Sequence, residues 1–310
     1  MFYREHTPFL DSLKRFLEIE LAEMEKTGRL WPQEQSKMDE QIALMMGMLS
    51  HYNLWVTKDR TTRLRDENIE WLSFEREFSV PLYNPYTGNK SSKVYLAGRF
   101  DGLVKLLPEG GIWIWETKST RSIFELENSL ANDEQCGAYI YAAEQLFGVP
   151  VTGVIYNVMR KKLPTEPAVL QNGLLSKNKA IDTTAEAYLE AVRRNHPDWD
   201  NALTLQFYED ILQHLIAKGN TFFARVAIYR TPTEIQRLAS NLWAVALEMT
   251  RESTIIYDAP GWLSCNFCHF RAPCLAMNAG ADHEFLLEQE YRKRTDTREL
   301  LYAEEDQNGK

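Results

Sequence analysis

Asp101, Glu116 and Lys118 are charged residues set in two stretches that otherwise read as apolar strands. They belong to the segment GRFDGLVKLLPEGGIWIWETK, residues 98–118. Tyr95–Leu107 is rich in β-branched and apolar residues, Pro108–Gly111 is turn chemistry, and Ile112–Thr117 is a second apolar run, which predicts a hairpin. Strand alternation puts Glu116 and Lys118 on one face and Trp113, Trp115 and Thr117 on the other. With Asp101 across from Glu116, two carboxylates converge beside an ammonium, and a divalent cation supplies the charge such a pair needs. The chemistry this suggests is metal-assisted phosphodiester hydrolysis. Hard carboxylate oxygens hold Mg²⁺ or Mn²⁺, and the metal polarises a phosphoryl oxygen and lowers the pKa of a bound water. Lys118 then orients that water or stabilises charge on the phosphate. An ordinary salt bridge from Lys118 to Glu116 or Asp101 is the competing reading, and spacing alone does not separate the two.

The elements around this hairpin must position it. Residues 1–30 read as a helix with Phe9, Leu13, Phe16, Leu17 and Leu21 on one face, and a second helix runs from about Ser36 to Trp55. Gly47 and His51 lie one turn apart on the second helix. Trp71–Tyr83 alternates as a strand with Leu72, Phe74 and Phe78 facing inward, and Glu77 reads as a solvated edge residue ahead of the alternative, an extra carboxylate. Downstream, Glu134–Phe147 is a helix on which Gln135 and Tyr139 share a face. Its Cys136 falls in the apolar stripe and reads as a core residue. Val151–Met159 is a further strand, reached across that helix, so a parallel crossover is expected. Arg160, Lys161 and Lys162 leave it as a basic exit that either meets a phosphate backbone or is simply solvated. Residues 163–182, with Pro164, Pro167 and Gly173, read as a flexible insertion. Helices over 183–194 and 208–215, an edge strand over 222–229 and a capping box at Thr231–Glu234 complete this part.

These residues carry a resemblance. GRFDG followed by an apolar strand ending in E-T-K resembles the PD-(D/E)XK nuclease superfamily, and more narrowly its RecB-type branch. That branch includes the CRISPR-associated exonucleases of the Cas-four group and many phage exonucleases. GMLSH resembles the branch's G-x-x-x-H, which implies that His51 is a metal ligand. Gln135 and Tyr139 resemble its Q-x-x-x-Y, which implies that they contact DNA. The implied site is a cation on His51, Asp101, Glu116 and the Thr117 carbonyl, with Asp101, Glu116 and Lys118 as the catalytic set. The implied fold is an α/β core, a mixed central sheet flanked by helices. The implied activity is Mg²⁺- or Mn²⁺-dependent DNA cleavage, commonly from an end and on single strands, in a bacterial cell or a phage.

Cys265, Cys268 and Cys274 form C-x2-C-x5-C, which suits a thiolate metal site rather than disulfides. The triplet resembles the C-terminal cysteines of iron–sulfur members of the branch, which implies a 4Fe–4S cluster. Residues 1–135 hold no cysteine, so the fourth ligand is not identified, and zinc with a histidine competes.

The 310 residues carry 35 Lys+Arg against 44 Asp+Glu, a net charge of −9, which disfavours a general nucleic-acid coat. Generous aromatic content and mixed charge predict a soluble globular protein. Charges at Arg4 and Glu5 argue against a signal peptide and no apolar run suits a membrane span, so the cytoplasm is the expected location. No repeat or linker is evident. The expectation is one elaborated domain over 1–281, with its core at about 36–160, a helical and cysteine-bearing region over 183–281, and a charged tail over 282–310. Two other classes remain open: a catalytically silent DNA-binding or assembly module, and a hydrolase of RNA or nucleotides.

Overall fold

The computed structural model describes residues 32–58, 64–108, 110–253 and 259–291, with parts of a helix between 15 and 26. Most of the helix expected over residues 1–30, and the charged tail beyond 291, lie outside the described residues. The chain divides into two compact units, Met1–Thr250 and Arg251–Lys310.

The first unit is built on a mixed five-stranded sheet. Helix α1 (Pro32–Lys58) precedes β1 (Ile69–Tyr83), β2 (Lys90–Leu106) and β3 (Ile112–Thr120). Helices α2 (Ile123–Leu130) and α3 (Glu134–Phe147) lead into β4 (Val151–Arg160). Helices α4 (Ala185–Asn195) and α5 (Ala202–Lys218) come before β5 (Phe223–Tyr229) and α6 (Pro232–Thr250). The strands lie in chain order; β1–β2, β2–β3 and β4–β5 are antiparallel, and β3–β4 is the parallel pair. The expected hairpin and parallel crossover are therefore both present.

Alternation sorts the two faces along β3 and β4. Phe78, Phe100, Ile114, Val154, Tyr156 and Val158 pack on one face with Ile123 and Leu130 of α2 and Cys136, Ile140 and Ala143 of α3. Val104, Trp113, Trp115 and Ile155 pack on the other. On that second face Tyr52 and Trp55 of α1 meet Phe223, the Trp55 and Phe223 rings stacking at 5.7 Å. Tyr52 also donates to Asn157 Oδ1 at 2.8 Å. Leu72 departs from expectation: it is 44% exposed, and Trp71 turns inward instead, 5.2 Å from Trp115. A register shift between Trp71 and Ser73 accounts for the exchange, because one displaced residue swaps faces.

Residues 163–182 are not the loose insertion that their composition suggested. Leu175 is buried with Tyr188, Val192, Tyr208 and Ile211 of α4 and α5. Its amide donates to Tyr208 Oη at 3.0 Å, and Tyr188 Oη donates to the Ser176 carbonyl at 2.9 Å. Proline and glycine mark turns here, and the apolar anchor between them sets the order. The capping box forms as expected: Glu234 N donates to Thr231 Oγ1 at 3.2 Å and Thr231 N to Glu234 Oε2 at 2.7 Å.

The second unit carries three short helices, α7 (Trp262–Asn266), α8 (Arg271–Asn278) and α9 (His283–Glu290). Phe270 stacks on Tyr291 at 5.1 Å within it. Among the described residues of the chain, no helix is long and apolar enough to cross a membrane.

Candidate active site

The site forms where β3 leaves the apolar interior. Ile114 is fully buried against the α2–α3 layer, and a period of two carries Glu116 and Lys118 onto the same face. The β2–β3 ladder ends at the Gly102–Trp115 pair, whereas β4 stays paired with β3 as far as Thr120. Asp101 thus stands at a fork, next after the last paired residue and beside Glu116. The carboxylate turns into the gap and accepts the Thr117 amide proton at 2.8 Å. Gly102, at the last pair of the ladder, lets the Trp71 ring pack against the strand, because a Cβ there would come 2.5 Å from it.

Helix α3 supplies the second wall. Asp133 caps it by accepting the Gln135 amide at 2.9 Å, and Tyr156 Oη donates to the same carboxylate at 3.0 Å. The cap aims Gln135 at β3. Its Nε2 donates to Glu116 Oε1 at 3.3 Å and to Tyr139 Oη at 2.8 Å, and its Oε1 accepts from Lys118 Nζ. Lys118 Nζ lies 3.5 Å from Glu116 Oε1 and 5.7 Å from the Tyr156 ring centre. Tyr139 is fixed edge-on against Phe100 at 5.3 Å.

One oxygen of this cluster is unsatisfied. Glu116 is 7% exposed, and its Oε2 is buried with no hydrogen-bond partner in the structure. Burial pushes the Glu116 carboxyl up to about 7, the neighbouring Asp101 charge pushes the same way, and Lys118 only partly offsets them. A buried carboxylate oxygen with no hydrogen-bond partner, beside a second carboxylate, is suited to a cation. The donors are hard oxygens, so they fit Mg²⁺ or Mn²⁺.

The other expected ligands lie apart. Among the described residues, no three His, Cys, Asp or Glu side chains are gathered closely enough to hold a metal ion. His51 is half-buried, and the charged groups acting on it are Glu166 and Arg194. Burial lowers its pKa, which favours the neutral imidazole. Helix α1 docks through Tyr52 on the Asn157 face of the sheet, opposite to the face that carries Glu116. Cys265, Cys268 and Cys274 are all exposed thiols and, as arranged, do not make the closed four-donor site a structural metal requires. Cys136 is fully buried, and burial raises its thiol pKa to about 11, which suits a core residue.

Two supporting groups were not foreseen. Asp133 was legible as an N-cap residue ahead of an apolar-striped helix, but its tie to Tyr156 is a tertiary contact. Beneath the site, Arg225 is wholly buried and donates to Asp66 Oδ1, Tyr52 Oη and the Leu64 carbonyl, each at 2.6 Å. Its guanidinium also lies 4.9 Å from the Trp115 ring. Nothing local in the sequence distinguishes this arginine from a solvated edge-strand residue.

The family model of the PD-(D/E)XK nuclease superfamily matches residues 11–275. No curated protein matches the chain.

Proposed function

Since this chain belongs to the PD-(D/E)XK nuclease superfamily, we propose that it is a metal-dependent deoxyribonuclease. In this reading it is an exonuclease of the RecB type that hydrolyses single-stranded or end-resected DNA. The observation that carries the reading is the joint placement of Glu116, Lys118 and Gln135, with one Glu116 oxygen buried and unpartnered beside Asp101.

Asp101, Glu116 and the Thr117 carbonyl would hold Mg²⁺ or Mn²⁺. His51 is the outlying candidate ligand, and burial favours the neutral imidazole that a metal takes. When bound, such a cation supplies Lewis acidity at a phosphoryl oxygen. Lys118 places its ammonium where charge develops on the attacked phosphate. Gln135 holds both partners in place, with its amide oxygen toward the ammonium and its amide nitrogen toward the carboxylate. Tyr139 anchors Gln135 and, with it, forms the wall along which the DNA strand would run.

For Cys265, Cys268 and Cys274 the reading retains a structural iron–sulfur or zinc site, supported by their spacing alone. Anaerobic purification with metal analysis tests it: iron with sulfide, or zinc, supports a site, and neither returns the cysteines to an ordinary loop.

The deciding experiment incubates purified protein with Mg²⁺ or Mn²⁺ and end-labelled single- and double-stranded DNA. Cation-dependent shortening of the labelled strand from one end is expected. Tight binding without cleavage would point to a silent DNA-binding module, and cleavage of RNA alone would move the substrate class.

A further inference from the structure

Beyond Lys118 the chain builds a rigid outward-facing lip. Thr120 Oγ1 donates to the Ser122 carbonyl at 3.1 Å and accepts the Ser122 amide at 3.3 Å. Ser122 in turn accepts the Glu125 amide at 3.3 Å and so caps α2. Ile123 is buried in the core and pins the start of the helix, while Phe124 beside it is 73% exposed. Arg121, on the same turn, is exposed. A neighbouring strand end joins them, because the Lys161 amide donates to the Thr120 carbonyl at 2.7 Å and the Lys161 side chain is exposed.

The cations here are not equivalent. Arg160 and Lys162 both bond to Asp182, at 3.0 and 2.6 Å. Neither Arg121 nor Lys161 has an ion-pair partner among the described residues. Two exposed cations without an ion pair among the described residues thus share this strand end with an exposed aromatic ring, a few residues along the chain from Lys118.

We propose that Phe124, Arg121 and Lys161 form a binding lip for single-stranded nucleic acid, with a base stacked on Phe124 and flanking phosphates on Arg121 and Lys161. The proposal rests on the nuclease reading and adds the place where the strand leaves the site. Every base has a π-face, so a fixed exposed ring binds single strands with little regard to sequence. Bases inside a duplex are stacked on each other and cannot offer that face, so the ring selects single strands or frayed ends. Glu125 and Glu127 on α2 oppose the two cations. Stacking on Phe124 therefore carries the larger share of the affinity.

Fluorescence anisotropy with a labelled twelve-residue oligothymidylate and a blunt hairpin duplex tests the lip, with Ca²⁺ in place of Mg²⁺ to avoid cleavage. Phe124→Ala should weaken oligothymidylate binding about tenfold or more and duplex binding less than twofold, whereas Phe124→Trp should keep parental affinity. Arg121→Ala and Lys161→Ala should each weaken binding less and flatten its salt dependence by about 0.7 in log–log slope. All three side chains are exposed, and unchanged thermal melting checks that the variants fold. Parental affinity in Phe124→Ala would overturn the lip while leaving the nuclease reading intact. A parent protein that neither binds nor cleaves DNA would overturn both.

Discussion

The carboxylate of Asp101 accepts the backbone amide of Thr117 at 2.8 Å, across the fork where β2 and β3 separate. One hydrogen bond thus ties the first carboxylate to the peptide between Glu116 and Lys118. Asp101→Asn keeps an acceptor for that amide and removes only the charge. Cleavage should fall by about 10²-fold or more, because one hard anionic ligand is lost. Without added metal, the variant should melt no lower than the parent, since the Asp101 charge opposes ionisation of Glu116. A variant that cleaves at the parental rate would remove Asp101 from the site.

Lys118 bonds to Gln135 and lies 3.5 Å from Glu116, so its geometry alone also suits a structural pair. The two roles separate in kinetics. Lys118→Ala should lower turnover by about 10²-fold, with Mn²⁺ and DNA affinity changed little. Loss of stability with undiminished turnover per folded molecule would assign Lys118 to the ion pair.

Glu116 makes the metal-free protein sensitive to pH. Its carboxyl rises from 4.5 in the unfolded chain to about 7 in the fold, so between those values the folded state binds more protons. Stability therefore declines as pH increases from about 4.5 to about 7 and levels off above. At about 1.4 kcal/mol per pH unit, the decline from this one group is at most about 3.5 kcal/mol. Glu116→Gln should flatten that part of the profile and be the more stable protein at pH 8 in a chelator. Denaturant melts at pH 5, 6, 7 and 8 measure the slope, and equal slopes in parent and variant would contradict the assignment of burial as its cause.

Strand alternation was enough to place Glu116 and Lys118 together, and helical spacing was enough to pair Gln135 with Tyr139, because both depend on local geometry alone. The sequence left the opposition of Asp101 and Glu116 as a condition, and the ladder that ends at the Gly102–Trp115 pair puts the two beside each other. What escaped depends on distant contacts. The bulge that exchanges Trp71 for Leu72 shifts register without a glycine or proline to announce it. The order of residues 163–182 comes from Leu175 meeting helices up to forty residues later. His51 has the right spacing from Gly47, but the docking of α1 is decided by Tyr52 and Trp55, which take the opposite face of the sheet.

His51 is open to a direct test for that reason. If its imidazole joins the cation when metal binds, His51→Ala should raise the Mn²⁺ concentration needed for half-maximal cleavage about tenfold or more, at little cost in stability. Titration calorimetry with Mn²⁺ alone provides a second reading that does not depend on cleavage. Unchanged Mn²⁺ affinity would limit the site to Asp101, Glu116 and the Thr117 carbonyl, and would leave His51 with Glu166 and Arg194.

Arg225 and Asp66 lie on the face of the sheet away from Lys118, and they answer to stability rather than to catalysis. The guanidinium is wholly buried, whereas the Asp66 side chain is 32% exposed. Removing the carboxylate strands a buried charge, while removing the arginine lets Asp66 return to water. Asp66→Ala should therefore cost more than Arg225→Met, despite the smaller side chain deleted. Breaking a buried pair from one side costs about 3–5 kcal/mol, and the partial exposure of Asp66, with Tyr52 Oη and the Leu64 carbonyl still bonded to Arg225, puts this case nearer 2–3 kcal/mol. Turnover per folded molecule should stay near parental in both variants, because Trp115 and the strand beneath Glu116 remain packed by Val104 and Ile155. Equal melting losses in the two variants would mean that the network is held by packing against Trp115 and not by its charge.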